Sequence, residues 1–111
     1  MTDVEIGGAR ISNTAPLTVI AGPCQLESYD HAAMIARTMS EICAEHGATY
    51  VFKASFDKAN RTSLSGQRGV GMDAGLRILS DIRSEFGCPV LTDIHTADQC
   101  APAAEAVDIL Q

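Results

Sequence analysis

Apolar and polar positions along this chain alternate between short continuous apolar runs and longer periodic segments. "VEIGGARI" sets two β-prone stretches on either side of Gly7 and Gly8, which predicts a small hairpin over residues 4–11. "LTVIAG" (17–22) is unbroken and of strand length, as expected for a strand buried on both faces of a parallel sheet. Ser28 then opens a helix. In it Ile35, Met39, Ile42 and Cys43 fall at i, i+4, i+7 and i+8, one helical face, and Gly47 is the stop. "TYVFKAS" (49–55) predicts the second strand, and the aperiodic stretch from Phe56 to Val70, with Gly66, Gly69 and the adjoining Gly71, predicts a loop. From Met72 the apolar positions Leu76, Leu79, Ile82 and Phe86 describe a second helix, ended by Gly87. "PVLTD" (89–93) is a third strand, Thr96 and Gln99 have capping-box spacing before a short third helix, and "VDIL" (107–110) is a fourth strand.

A hairpin followed by β-α-β-α-β-α-β implies parallel strands joined by helical crossovers. That order fits a barrel of eight such units or an open doubly wound sheet. No GxGxxG follows the first long strand; "GPCQLES" stands there, which weakens a dinucleotide-binding reading. The chain stops at Gln111, directly after a strand. The expectation is therefore a truncated chain, with residues 1–111 as the N-terminal part of one barrel domain.

Composition narrows the function classes. Apolar residues make up 46 % of 111 residues, enough for a core. The net charge of −6 argues against nucleic acid or an anionic membrane as a partner. No apolar run approaches the roughly 20 residues of a membrane span, and "MTDVEIGGARIS" lacks the pattern of a signal peptide. With no export signal, Cys24, Cys43, Cys88 and Cys100 read as cytosolic thiols, and the expected location is the cytoplasm.

Against that acidic balance, "FKASFDKANRTS" gathers Lys53, Lys58 and Arg61 just where the second strand ends. The segments after the other strands are polar as well: "GPCQLES", "TDIH" and the terminal Gln111. Parallel α/β proteins bind ligands at the carboxyl ends of their strands, so these segments point to one site. Lys53, Lys58, Arg61 and Arg68 would suit two anionic groups, with Asn60, Thr62 and Ser63 as neutral donors. The plainer alternative is a solvated basic loop in which Asp57 pairs with Lys58 and Arg61. Cys24 could be a nucleophile, a soft metal ligand or a small buried hydrophobe. Asp93 could orient a sugar hydroxyl or a water, and His95 could move a proton, bind metal or simply flank a helix. Glu27 fits a charge at a helix start or a brace for a site cation. His31 and His46 read as plain helix-face residues.

The segments "IAGPCQLES", "FKASFDKANRTS", "GMDAGLRIL" and "VLTDIH", in this order and spacing, closely resemble the 3-deoxy-D-manno-octulosonate-8-phosphate synthases. The usual form of the second element is "KANRSS", so Thr62 keeps the hydroxyl. The related heptulosonate-phosphate synthases share "GPC" but look more like "KPRTS". The resemblance implies a (β/α)8 TIM barrel closed at its bottom by the N-terminal hairpin, of which this chain supplies the hairpin and about the first four strands. It implies condensation of phosphoenolpyruvate with arabinose 5-phosphate and water, for lipopolysaccharide biosynthesis, by a homo-tetramer. It implies Lys53 and Lys58 on phosphoenolpyruvate, with Gln111 nearby. Asn60, Arg61, Thr62 and Ser63 would hold arabinose 5-phosphate, and Asp93 would stand near the reacting aldehyde. Lys58, Asn60 and Asp93 are the expected catalytic residues. Cys24, where a metal-free form has Asn, implies a divalent metal (Zn, Fe, Mn or Cd) whose other ligands lie on later strands. The alternatives are the heptulosonate enzyme or a phosphosugar-binding fragment without catalysis.

Overall fold

The computed structural model describes residues 2–57 and 70–111. Val4–Ile6 (β1) and Ala9–Ile11 (β2) form the expected antiparallel hairpin, with Val4 opposite Ile11. Gly7 and Gly8 both take positive φ, 51° and 83°, which the tight two-residue turn between twisted strands requires. A Cβ placed on Gly7 would lie 3.4 Å from Asp108 Cγ and 3.5 Å from Pro89, so the turn rests on the residues that lead into two later strands.

Those strands belong to a parallel sheet of Thr18–Ala21 (β3), Thr49–Lys53 (β4), Val90–Thr92 (β5) and Ile109–Leu110 (β6), arranged in chain order. Helices Tyr29–Glu45 (α1), Met72–Phe86 (α2) and Cys100–Ala106 (α3) make the crossovers. Each strand adds next to its predecessor, so among the described residues the strand order never reverses. A doubly wound sheet needs such a reversal.

The sheet's two faces follow from its period of two. Tyr50, Phe52, Ala54 and Val90 join the core beneath the helices, while Val51 and Leu91 alternate with them and are buried on the other side. β4 and β5 are thus covered on both faces, as their apolar runs predict. β3 is not: it is an edge strand of the described sheet, and Ile20 remains 51 % exposed. Fully burying a side chain such as Phe52 contributes about 1.5–3 kcal/mol.

Ser28 caps α1 as expected, its Oγ accepting the His31 N–H at 3.1 Å. The buried stripe of α1 is turned from the expected one. Ala32, Ala33, Ala36 and Cys43 face the core, Ile35 and Met39 are half-buried, and Ile42 is 44 % exposed. Small side chains let the helix lie close to the sheet, which leaves larger ones at the margin. α2 buries Leu76, Leu79 and Ile82 and ends at Gly87 with φ 68°, as its pattern predicts. Neither half of the Thr96–Gln99 capping box is made. Thr96 makes no side-chain cap, and Gln99 Oε1 accepts from the His95 N–H at 2.9 Å instead.

Candidate active site

The carboxyl ends of the strands are brought together by register. Lys53 pairs with Leu91 and Leu91 with Ile109. Two residues further on, Ser55, Asp93 and Gln111 continue that row on the same face. The hydrogen bonds bear this out: the Gln111 N–H donates to the Thr92 carbonyl at 3.0 Å, and the Ile94 N–H donates to the Gln111 carbonyl at 3.1 Å. On the β3 side the Leu26 N–H donates to the Ser55 carbonyl at 2.9 Å, and Gln25 bridges to Ser55. Residues from all strand ends of the sheet therefore meet at one edge, as the polar segments predict.

Gly22 makes this closeness possible. A Cβ there would stand 1.8 Å from the Lys53 carbonyl oxygen, so only glycine lets β3 leave the sheet at this point. Gly75 does the same from α2, where a Cβ would be 2.4 Å from Phe56 Cβ. Below the row, Thr92 Oγ1 is buried and donates to the Ala54 carbonyl at 2.8 Å, tying β5 to β4.

Asp93 is the centre of the polar cluster. Its Oδ1 accepts from the buried Ser55 hydroxyl. Its Oδ2 lies 3.4 Å from His95 Nε2, which also reaches the Asp57 carbonyl. Lys53 is half-buried in the same face and makes no ion pair with a described residue. A cation and a held carboxylate, neither neutralising the other, suit a ligand that carries both anionic groups and hydroxyls. Lys58, Asn60, Arg61, Thr62, Ser63 and Arg68 lie outside the described residues.

Cys24 is exposed, which removes the buried-hydrophobe alternative, while Cys43 is buried in the core. Cys24 lines a cavity with Pro23, Gln25, Glu27, His31 and Val70. Glu27 stands at the start of α1, one of its two expected places, and its Oε2 lies 3.3 Å from His31 Nδ1 on the first turn of that helix without a hydrogen bond between them. Among the described residues, no three His, Cys, Asp or Glu side chains come close enough to hold a metal ion. Cys24 alone does not make a metal site. At the opposite end of the sheet, burial pushes the Cys88 thiol up, away from the thiolate form. Burial likewise pushes the Tyr50 phenol up, and its hydroxyl donates to the Ala21 carbonyl at 2.8 Å.

Ser55 and Gly22 escaped the sequence reading. For Ser55 a signal was there: it stands two residues after Lys53, in the phase of the same strand face. For Gly22 there was none, because close approach of another backbone leaves no local trace.

The class so defined is a parallel α/β protein that gathers cationic, carboxylate and amide side chains at the carboxyl ends of neighbouring strands. The chain belongs to the DAHP synthetase I family, which it matches over residues 2–111. Among curated proteins it is similar to a 2-dehydro-3-deoxyphosphooctonate aldolase of Methylobacterium radiotolerans, 57 % identical over 108 residues, 97 % of this chain and 38 % of that protein. Proteins of the same name from Granulibacter bethesdensis and Agrobacterium fabrum are 58 % and 55 % identical, covering 97 % and 95 % of this chain and 38 % of each relative. The chain thus spans 38 % of the length of these relatives. No helix among the described residues is long and apolar enough to cross a membrane.

Proposed function

We propose that the complete protein condenses phosphoenolpyruvate with arabinose 5-phosphate and water, releasing 3-deoxy-D-manno-octulosonate 8-phosphate and inorganic phosphate for lipopolysaccharide biosynthesis. The observation that carries this reading is the single row of Ser55, Asp93 and Gln111 with Lys53 beside it, in a chain more than half identical to proteins named for this octulosonate chemistry. The family's name also covers heptulosonate synthesis, but the relatives' names and the "KANRTS" element favour the octulosonate.

In this reading two polyanions must approach while a carbon–carbon bond forms between them. Lys53 and Lys58 hold phosphoenolpyruvate beside Gln111 and offset its charge. Asn60, Arg61, Thr62 and Ser63 hold arabinose 5-phosphate, with Arg61 and Thr62 on its phosphate. Fixing both substrates turns a repulsive encounter into a near-attack arrangement. Asp93 accepts from the sugar hydroxyls beside the aldehyde carbon and orients it.

The same reading makes the sheet one part of a (β/α)8 barrel in a cytoplasmic homo-tetramer. The apolar groove of Pro16, Leu17, Met39 and Ile42 beside β3 is then a seam covered by barrel elements outside this chain. Cys24 is one ligand of a divalent metal whose remaining ligands come from later strands. Such a metal would supply charge stabilisation at a developing oxygen.

The test is to supply the full-length protein with both substrates and follow phosphate release and the eight-carbon product. Product from arabinose 5-phosphate supports the reading. Product only from a four-carbon aldose phosphate selects the heptulosonate alternative, and binding without turnover selects the non-catalytic one. Arg61→Ala should raise the arabinose 5-phosphate requirement with the fold intact. Elemental analysis tests the metal: Cys24→Ser should purify with much less bound metal than the unsubstituted protein. Equal metal content would leave Cys24 a bystander.

A further inference from the structure

We infer that His95 is a positioning residue: its ring fixes the Asp93 carboxylate and ties the segment after β4 to the end of β5. The inference rests on the reading of Asp93 as the group that meets the aldose phosphate.

The partners of the ring fix where its hydrogen sits. His95 Nε2 faces Asp93 Oδ2 at 3.4 Å and the Asp57 carbonyl, both of them acceptors. Nε2 must therefore carry a hydrogen whatever the charge of the imidazole. That hydrogen points at protein oxygens, so His95 is not placed to give it to a substrate. The residue's backbone is fixed too, through its N–H to Gln99 Oε1.

Asp93 explains why such a bridge is useful. A carboxylate turns easily about its last torsion, where the wells are broad. Ser55, two residues past β4, holds Oδ1, and without His95 the other oxygen would have no described polar neighbour. With Oδ1 hydrogen-bonded to Ser55 and the imidazole edge 3.4 Å from Oδ2, the group has little room to turn. Each oxygen keeps a second lone pair, and those lone pairs can accept from a sugar hydroxyl. Asp57 is the last described residue before the basic segment. The same ring therefore links the start of that segment to the carboxylate with which it would share a substrate.

A double-substitution cycle in the full-length protein tests this. His95→Ala should lower kcat/KM for the aldose phosphate roughly 10-fold, the equivalent of one ordinary hydrogen bond, and leave the KM for phosphoenolpyruvate unchanged. His95→Gln, whose amide N–H reaches the same place, should recover most of that loss. Adding His95→Ala to Asp93→Ala should cost almost nothing more. Losses that multiply in the double variant, or no rescue by Gln, overturn the inference.

The cycle is run with whichever aldose phosphate the protein condenses. Failure with arabinose 5-phosphate alone would then reject the functional reading and still decide the role of His95. Nitrogen NMR of labelled histidine needs no turnover: the His95 ring should carry its hydrogen on Nε2, and a ring bare at Nε2 overturns the inference.

Discussion

Two aspartates, one at each end of the sheet, are held in opposite ways. Asp108, before β6, accepts the Val90 N–H at 3.0 Å through Oδ2, and its own N–H donates to the Val90 carbonyl at 2.9 Å. Arg83 approaches its Oδ1 at 3.7 Å and donates to the Glu105 carbonyl at 3.1 Å, and the Gly7 turn covers the group from below. Its partners are backbone and a cation, so its charge is matched. Asp93, after β5, is held by a hydroxyl and flanked by an imidazole, with no Lys or Arg paired to it among the described residues. Matching a carboxylate's charge locks strands together; orienting it without matching leaves it able to engage a ligand. The difference agrees with the general division of parallel α/β folds, where strand amino ends serve stability and carboxyl ends serve binding.

Substituting each aspartate should break the comparison in opposite directions. Asp93→Ala in the full-length protein should lower turnover about 100-fold to 1,000-fold, the scale of losing one preorganised polar group at a reacting centre. Its circular dichroism and apparent Tm should stay close to those of the unsubstituted protein. Unchanged turnover would reduce Asp93 to a strand-end polar group. Asp108→Ala should do the reverse. It removes the acceptor of a part-buried N–H, costing about 1–3 kcal/mol. The Arg83 pair adds little, because the Arg83 side chain is 34 % exposed and its charge is screened. The apparent Tm should fall by several degrees while kcat of the folded protein is unaltered. A fall in kcat without a fall in Tm would contradict the division.

The order of elements was legible because apolar runs and glycine stops are local. Each strand falls within two residues of its expected place, and "VDIL" narrows to Ile109–Leu110 because Val107 closes α3; the third helix, expected to open at Thr96, starts with one 3-10 turn over Ala97–Gln99 and becomes α-helical only at Cys100. The face of α1 was less legible: alanines pack against the sheet, and they add little to a pattern read from large side chains. At the site, Lys53, Asp93 and Gln111 were visible as polar groups at strand ends. What joins them was not visible, because Ser55 and Asp93 stand 38 residues apart and meet only through register. The Thr96–Gln99 spacing misled for a similar reason, since Gln99 turned to His95.

The smallest expected effect tests whether the hairpin rests on the Asp108 end of the sheet. Gly7 and Gly8 both have positive φ, so alanine at either site carries a left-handed penalty of about 1–2 kcal/mol. Their surroundings differ. At Gly8 a new Cβ meets nothing within 4 Å, and φ 83° lies further from the region that L-residues tolerate. At Gly7, φ 51° lies inside that region, and the Cβ would touch Asp108 and Pro89 at ordinary contact distance. Dispersion contacts there return a few tenths of a kcal/mol. Gly7→Ala should therefore lower the apparent Tm of the full-length protein less than Gly8→Ala does. In an Asp108→Ala background the gap should narrow, because one wall of the contact is gone. A hairpin free of the sheet would leave the gap unchanged in both backgrounds, since only the backbone term would then separate the two glycines.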